Sequence, residues 1–362
     1  MKKFLFTLLV STLLFSCKRN HNLGLIITSS DIFLSFGISA RNATELSVEN
    51  FNQHSNKNKI IIQQTDDQKN HENAIDFIKH SDQNNKLFGI IGPLSSSVAK
   101  GSLDTINYYK IPTIAPLTNI EFLKNKDDYL FTMNTKITTT ALETANLIIK
   151  ENKQNDNFII IYNDSNSHYF KEFLDIIYKS LTTNYYNNVF TITVQNNPDN
   201  NYTEIIKKAM SLNPSAALII DDDLNSAIIA QTLKLQNKQI KLYGTEFAIT
   251  SRIIANGGSA VDNMKFVTSI SYDPSLKEVS EFIYAYNRKY NYMPDATAYL
   301  TFISTNALLT AFSNANFDKS KLKKELLLLK KENKLLFNEY GDSEKKPIKL
   351  VISKGKFITI NE

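Results

Sequence analysis

With 362 residues and 42% hydrophobic content, the chain can bury two hydrophobic cores, and about 345 residues remain for them once an N-terminal leader is set aside. Its formal net charge of +5 falls to about +3 without Lys2 and Lys3, and the basic residues are scattered, which argues against nucleic acid as a partner held by charge. A single cysteine excludes a disulfide framework, so stability has to come from packing.

The chain opens with Met1-Lys2-Lys3 and an almost unbroken apolar run from Phe4 to Phe15 that ends at Ser16-Cys17. This is the pattern of a secretory signal peptide. A run of about twelve residues is shorter than the roughly 20 needed to cross a bilayer, and Lys18-Arg19-Asn20 follows with no stop-transfer stretch. Leu14-Phe15-Ser16-Cys17 resembles the lipobox of bacterial lipoproteins. That implies a signal peptide over 1–16, lipidation at Cys17 and a tether over 17–22, with an ordinary signal peptide as the plainer alternative.

Beyond the leader, short apolar runs of strand length alternate with stretches of helical period, the pattern of parallel α/β domains. Strands are expected at Leu23 to Ile27, Lys59 to Gln64, Leu87 to Ile91 and Thr113 to Ala115. The helices between them span Gly37 to Asn52, His71 to Ser81 and Ser96 to Tyr109. A second series has a helix from Thr138 to Lys150, then strands Phe158 to Tyr162, Val189 to Val194, Ala216 to Ile220 and Lys241 to Tyr243. Helices His168 to Leu181, Tyr202 to Leu212 and Asn225 to Gln236 join those strands. Helices Lys277 to Tyr290, Ala296 to Phe312 and Lys319 to Lys331 follow, and short strands around Ile348 to Ile352 and Lys356 to Ile360 are expected to cap the lobes. Lysines 319 to 334 are spaced as a solvated helix face.

In parallel sheets, ligands bind in the crevice at the carboxyl ends of the strands. Three loops leave such ends. Gly92-Pro93-Leu94-Ser95-Ser96-Ser97 opens a helix whose first N–H groups, with Ser96 and Ser97 beside them, can seat an anion; the same serines can instead cap the helix. Ala115-Pro116-Leu117-Thr118-Asn119 offers the Thr118 hydroxyl. Gly244-Thr245-Glu246 offers a lone carboxylate to an ammonium, unless Glu246 is simply an acid in a first helical turn. Together they suit an amino-acid zwitterion.

Catalytic signatures are missing: there is no G-x-G-x-x-G, Walker loop, H-E-x-x-H or G-x-S-x-G, and no pair among the five histidines has metal-ligand spacing. Neither Asp66-Asp67 nor Asp221-Asp222-Asp223 comes with a phosphate loop, so capping and solvated-loop roles are expected. The chain therefore reads as a binding protein rather than an enzyme, with no cofactor and no metal.

With these loops, the chain resembles type I periplasmic binding proteins of the Leu/Ile/Val-binding family, the solute receptors of ABC importers. The resemblance rests on Ile90-Ile91-Gly92-Pro93 with Ser95-Ser96-Ser97, Ile111 to Pro116 with Thr118, Tyr162-Asn163-Asp164 with Tyr169, Tyr243-Gly244-Thr245-Glu246, Ala255-Asn256-Gly257-Gly258 and Tyr272-Asp273-Pro274. It implies two Rossmann-like α/β lobes with parallel sheets joined by three hinge crossovers, a Venus-flytrap. Lobe 1 would be 23–137 and 269–334, and lobe 2 would be 138–268 and 335–362.

The resemblance further implies that Ser96 and Thr118, with Ser97 and Leu117 near them, bind a ligand carboxylate while Glu246 binds its ammonium. Phe36, Tyr169 and Phe302 would line the side-chain pocket, Phe36 and Phe302 standing where tyrosines are expected. The implied partners are a small molecule, an amino acid, amide or related compound, and an ABC permease, with the membrane touched through the lipid anchor only and the protein a monomer. An interaction lipoprotein of the same fold, of the penicillin-binding-protein activator or sensor type, is the alternative.

Overall fold

The computed structural model describes residues 19–29, 34–84, 86–164, 169–184, 186–194, 202–270, 272, 276–331 and 334–360. Cys17 and the apolar run before it lie outside the described residues, so the leader and the lipidation site stand as read from sequence.

The first sheet is parallel throughout, in the order β2-β1-β3-β4-β5. Its strands are β1 (Arg19–Ile27), β2 (Asn58–Asp66), β3 (Gly89–Ile91), β4 (Thr113–Ala115) and β5 (Leu130–Thr132). Leu23 to Ile27 is buried along its whole length because helices cover both faces. Neighbouring side chains divide between the faces: Leu25 and Ile91 join one core, Ile26 and Ile90 the other. Helices α1 (Leu34–His54), α2 (His71–Asn84) and α3 (Ser96–Tyr109) make the connections.

The second sheet runs β14-β13-β10-β9-β8-β6-β7. Its parallel strands β6 (Phe158–Asn163), β7 (Val189–Val194), β8 (Ala216–Ile220), β9 (Lys241–Gly244) and β10 (Lys265–Thr268) repeat the order of the first sheet. Helices α4 (Ile137–Glu151), α5 (Tyr169–Asn184), α6 (Tyr202–Met210), α7 (Asp223–Gln236) and α8 (Ser251–Gly257) flank it. The chain then supplies α9 (Lys277–Tyr290), α10 (Ala296–Asn314) and α11 (Lys319–Leu327), whose Leu300, Leu308, Phe312 and Leu322 complete the core of the first lobe.

Several expectations need correction. β1 starts at Arg19, paired with Asn58, so residues 19–22 are strand rather than tether. The strands β5, only three residues long, and β10, only four, were not expected. The helix from Lys319 ends at Leu327, and β11 (Lys330–Lys331) pairs with β12 (Lys334–Leu335) instead. The closing strands β13 (Ile348–Ser353) and β14 (Lys356–Ile360) do not cap two lobes; they extend the second sheet, β13 antiparallel to β10 and β14 antiparallel to β13. Phe337 belongs to the first core, edge-on to Phe131 at 5.1 Å, so the last crossing follows Asp342 rather than residue 334.

The crossings are laced together. Thr132 N donates to Gly341 O at 3.0 Å, Ser343 N to Thr132 O at 2.8 Å, and Lys345 N to Thr135 Oγ1 at 2.9 Å. Ser269 Oγ donates to Asn134 Oδ1, which ties the crossing after β10 to the one after β5. The carboxyl edges of both sheets are thereby brought to one seam.

Candidate ligand-binding seam between the lobes

On the first lobe, Gly92 ends β3 at φ 100°, and a Cβ there would lie 2.1 Å from Ile26 O, so only glycine lets the loop leave the strand this way. Capping falls to Ser95, whose Oγ accepts from Val98 N at 3.2 Å and lies 3.0 Å from Ser97 Oγ. Ser96, 6% exposed, opens α3 without carrying that duty. Ser97 is half-buried, and Leu117 is half-buried against the first core. Thr118 is fully buried, and its Oγ1 has no hydrogen-bond partner.

Glu246 begins a 3₁₀ turn, Glu246–Ala248, directly beyond β9, so the first-turn reading is correct as local structure. Its carboxylate nevertheless reaches the other lobe. Oε1 accepts from Asn119 Nδ2 at 2.7 Å and Asn134 Nδ2 at 3.1 Å, with Tyr169 OH at 3.5 Å; Thr268 Oγ1 is 3.5 Å from Oε2. The first two are full hydrogen bonds, and the two at 3.5 Å are weak. Burial pushes the carboxyl up to about 7 against the pull of these donors.

Tyr169 opens α5, is buried, and has its phenol held well above the ordinary range by burial and then by the Glu246 charge. Phe247 links the lobes. Its ring lies 5.6 Å from Phe36 of the first lobe and 4.6 and 5.2 Å from Tyr169 and Phe170 of the second. Phe36 and Tyr169 thus meet around one ring.

Phe302 does not join them. Its ring lies tilted against Phe282 of α9 at 4.7 Å within a separate cluster with Tyr286 and Tyr299, because α10 turns that side toward α9. The aspartate run is also not solvated. Asp222 caps α7 by accepting from Asn225 N at 2.8 Å, while Asp221, Asp222 and Asp223 are all buried. Asp221, pushed up to about 7 by burial, accepts from Asn163 Nδ2 at 2.9 Å, and Asp223 accepts from Thr250 Oγ1 at 2.6 Å. Asp66 and Asp67 serve their turn, accepting from the backbone N of Gln68 and of Lys69.

Sequence reasoning missed Asn119, Asn134 and Phe247, each adjacent to a motif or a crossing that drew attention for another residue. It also missed Asp295, the cap of α10, which accepts from Ser39 Oγ at 2.9 Å and Ala298 N at 2.7 Å. Among the described residues, no group of three or more His, Cys, Asp or Glu is placed to hold a metal ion, and no helix is long and apolar enough to cross a membrane.

The profile of a family described as periplasmic binding protein matches residues 21–342. The chain belongs to the periplasmic binding protein family. Solved structures agree with the fold. A leucine-binding protein from Thermotoga maritima is 17% identical, with a TM-score of 0.77 over 94% of this chain and 98% of that one. A branched-chain amino acid transporter substrate-binding protein from Streptococcus pneumoniae, in complex with isoleucine, gives 17% identity and a TM-score of 0.80 over 94% and 100%. An ABC-transporter solute-binding protein from R. palustris, in complex with benzoate, gives 18% and 0.82 over 94% and 95%. No sequence among the curated proteins matches it. In this periplasmic binding protein, as the topology requires, the polar groups of the two sheet edges converge on Glu246.

Proposed function

We propose that this periplasmic binding protein is exported by its first 16 residues, anchored by lipid at Cys17, and captures an amino acid or amide between its lobes for an ABC importer. The observation that carries the reading is the Glu246 carboxylate, held across the seam by Asn119 next to the partnerless hydroxyl of Thr118. Buried polar atoms without partners cost stability unless something supplies the missing bond. A ligand touching both edges supplies it and, by favouring only the arrangement in which the edges meet, shifts the lobes toward closure. Ser96 and Thr118 would take a carboxylate and Glu246 an ammonium, with Phe36, Phe247 and Tyr169 as the apolar wall. A monomer without cofactor suffices for this work, and no catalytic step is assigned to it.

The test is a thermal-shift screen of the full chain in mild detergent against amino acids and small amides. A ligand that binds the native state raises the melting temperature by mass action, and Glu246→Ala abolishes the rise. An unchanged rise in that variant removes Glu246 from the site. Replacing Cys17 with serine moves the protein from the detergent phase to the aqueous phase; retention in detergent refutes the anchor. Phe247, packed on both cores, favours a second reading, an interaction protein whose seam is filled by its own side chain. Silence across the whole screen selects it.

A further inference from the structure

Basic residues that lie scattered along the sequence are gathered by the first sheet. Its strands all run one way, so their amino ends share the edge opposite the seam. Arg19 begins β1, Lys57 and Lys59 flank the start of β2, and Lys86 and Lys110 stand shortly before β3 and β4. All of them are exposed, and none forms an ion pair among the described residues. The acids that precede β5 and α11 are engaged: Asp127 pairs with Lys323 at 2.7 Å, Asp128 is buried and Asp318 caps α11. Tyr108, near the end of α3, is 77% exposed, edge-on to Tyr109 at 5.0 Å. A bare tyrosine beside cations suits the boundary between water and a bilayer.

The same edge carries a projection. Leu23 is the first residue of β1 to pair with β3, so Arg19 to Asn22 pair with β2 alone and reach about 13 Å past the start of β3, at about 3.3 Å per residue. Beside this strand pair lies a groove of about 640 Å³, lined by the polar His54, Lys57 and Asn58 and the apolar Phe51, Leu309 and Phe317. Cys17 precedes Arg19 by two residues, which span at most about 7 Å. A lipid on Cys17 therefore holds this edge, and no other, at the membrane surface.

Building on the lipid-anchor reading, we infer that the amino edge of the first lobe is a docking surface for an anionic bilayer. Arg19, Lys57, Lys59, Lys86 and Lys110 face lipid phosphates, the groove receives a headgroup, and Tyr108 enters the boundary layer. The seam, on the opposite edge, stays open to solvent.

Hydrogen exchange read by mass spectrometry tests this on the lipidated chain, in vesicles of phosphatidylcholine alone or mixed with phosphatidylglycerol. Amides at 55–58 and 108–111 exchange at least threefold more slowly in the anionic vesicles, and high salt removes the difference. The amino edge of the second sheet is the control: Lys238 and Lys241 are equally exposed there but are not held at the membrane, so 238–241 is unchanged. Lys57→Gln, Lys59→Gln and Lys110→Gln combined abolish the slowing without moving the melting temperature. Equal exchange at 55–58 and 108–111 in the two membranes overturns the inference and leaves the anchor standing. Slowing of the same size at 238–241, or slowing that survives the triple variant, also overturns it. Slowing in phosphatidylcholine alone that grows with protein density means that a second copy covers the edge, and overturns it too. A chain that washes off both kinds of vesicle overturns the anchor reading and this inference together.

Discussion

Glu246 joins two demands that pull against each other. It is withdrawn from water far enough for burial to lift its carboxyl to about 7, yet it accepts two amide hydrogen bonds suited to the ionised form. A ligand ammonium binds the ionised carboxylate. Affinity therefore strengthens as pH rises through about 7 and levels off above it, while below it binding weakens by roughly tenfold per pH unit for one such group. Titration of a bound amine between pH 5.5 and 8 should show a change of about 30-fold, with protons released on binding. A flat profile refutes the role of this carboxyl. The sign for the unliganded fold is opposite. Between the ordinary carboxyl value of 4.5 and about 7 the native state holds the proton more tightly than the unfolded chain does, so this group's contribution to stability is complete below 4.5 and is lost as pH rises through 7.

The crossings depend on a buried ion pair. Lys124 Nζ donates to Asn134 O at 2.7 Å and to Thr132 Oγ1, and lies 3.6 Å from Asp342 Oδ1. Asp342 in turn accepts from Thr132 Oγ1 at 2.6 Å and Asn125 N at 2.7 Å, which joins the ends of two crossings. Burial lowers the lysine to about 8, and Asp342 opposes that shift. Asp342→Asn leaves the ammonium buried without its counter-charge, at a cost of about 3–5 kcal/mol near pH 7. The loss should shrink near pH 10, where the native lysine is neutral; urea unfolding at both pH values measures it, and equal losses refute the ion-pair account. None of this network was legible in sequence. Its members are far apart in the chain, and Lys124 looks like one more lysine in a lysine-rich protein. The elements with clear signals were legible: α3 and β8 match their expected ends, as apolar period and flanking serine or proline allow. β5 and β10 were not, because three- or four-residue strands carry too little period to distinguish them from loops.

At the scale of the molecule, two sheets of the same strand order meet through one aromatic side chain as well as through Glu246. The topology made the seam predictable, since both edges follow from the alternation of strands and helices. The bridging role of Phe247 was not predictable, because a phenylalanine after a site acid reads as core in either lobe. Phe302 shows the converse: an aromatic at a plausible family position turned out to serve α9 packing, since position along a helix does not fix which face looks to the crevice. Phe247 packs against both cores, so its removal weakens lobe-to-lobe attraction more than it weakens either lobe. For a half-buried ring, Phe247→Ala should forfeit about 1–2 kcal/mol of that attraction and shift the closed-to-open ratio about 5- to 30-fold toward open. Small-angle scattering reads this as a larger radius of gyration in the variant, with Phe247→Leu intermediate. Unchanged scattering in both variants would mean that the polar bridge from Asn119 and Asn134 to Glu246 holds the lobes without help from the ring, and the apolar wall would then matter to the ligand alone.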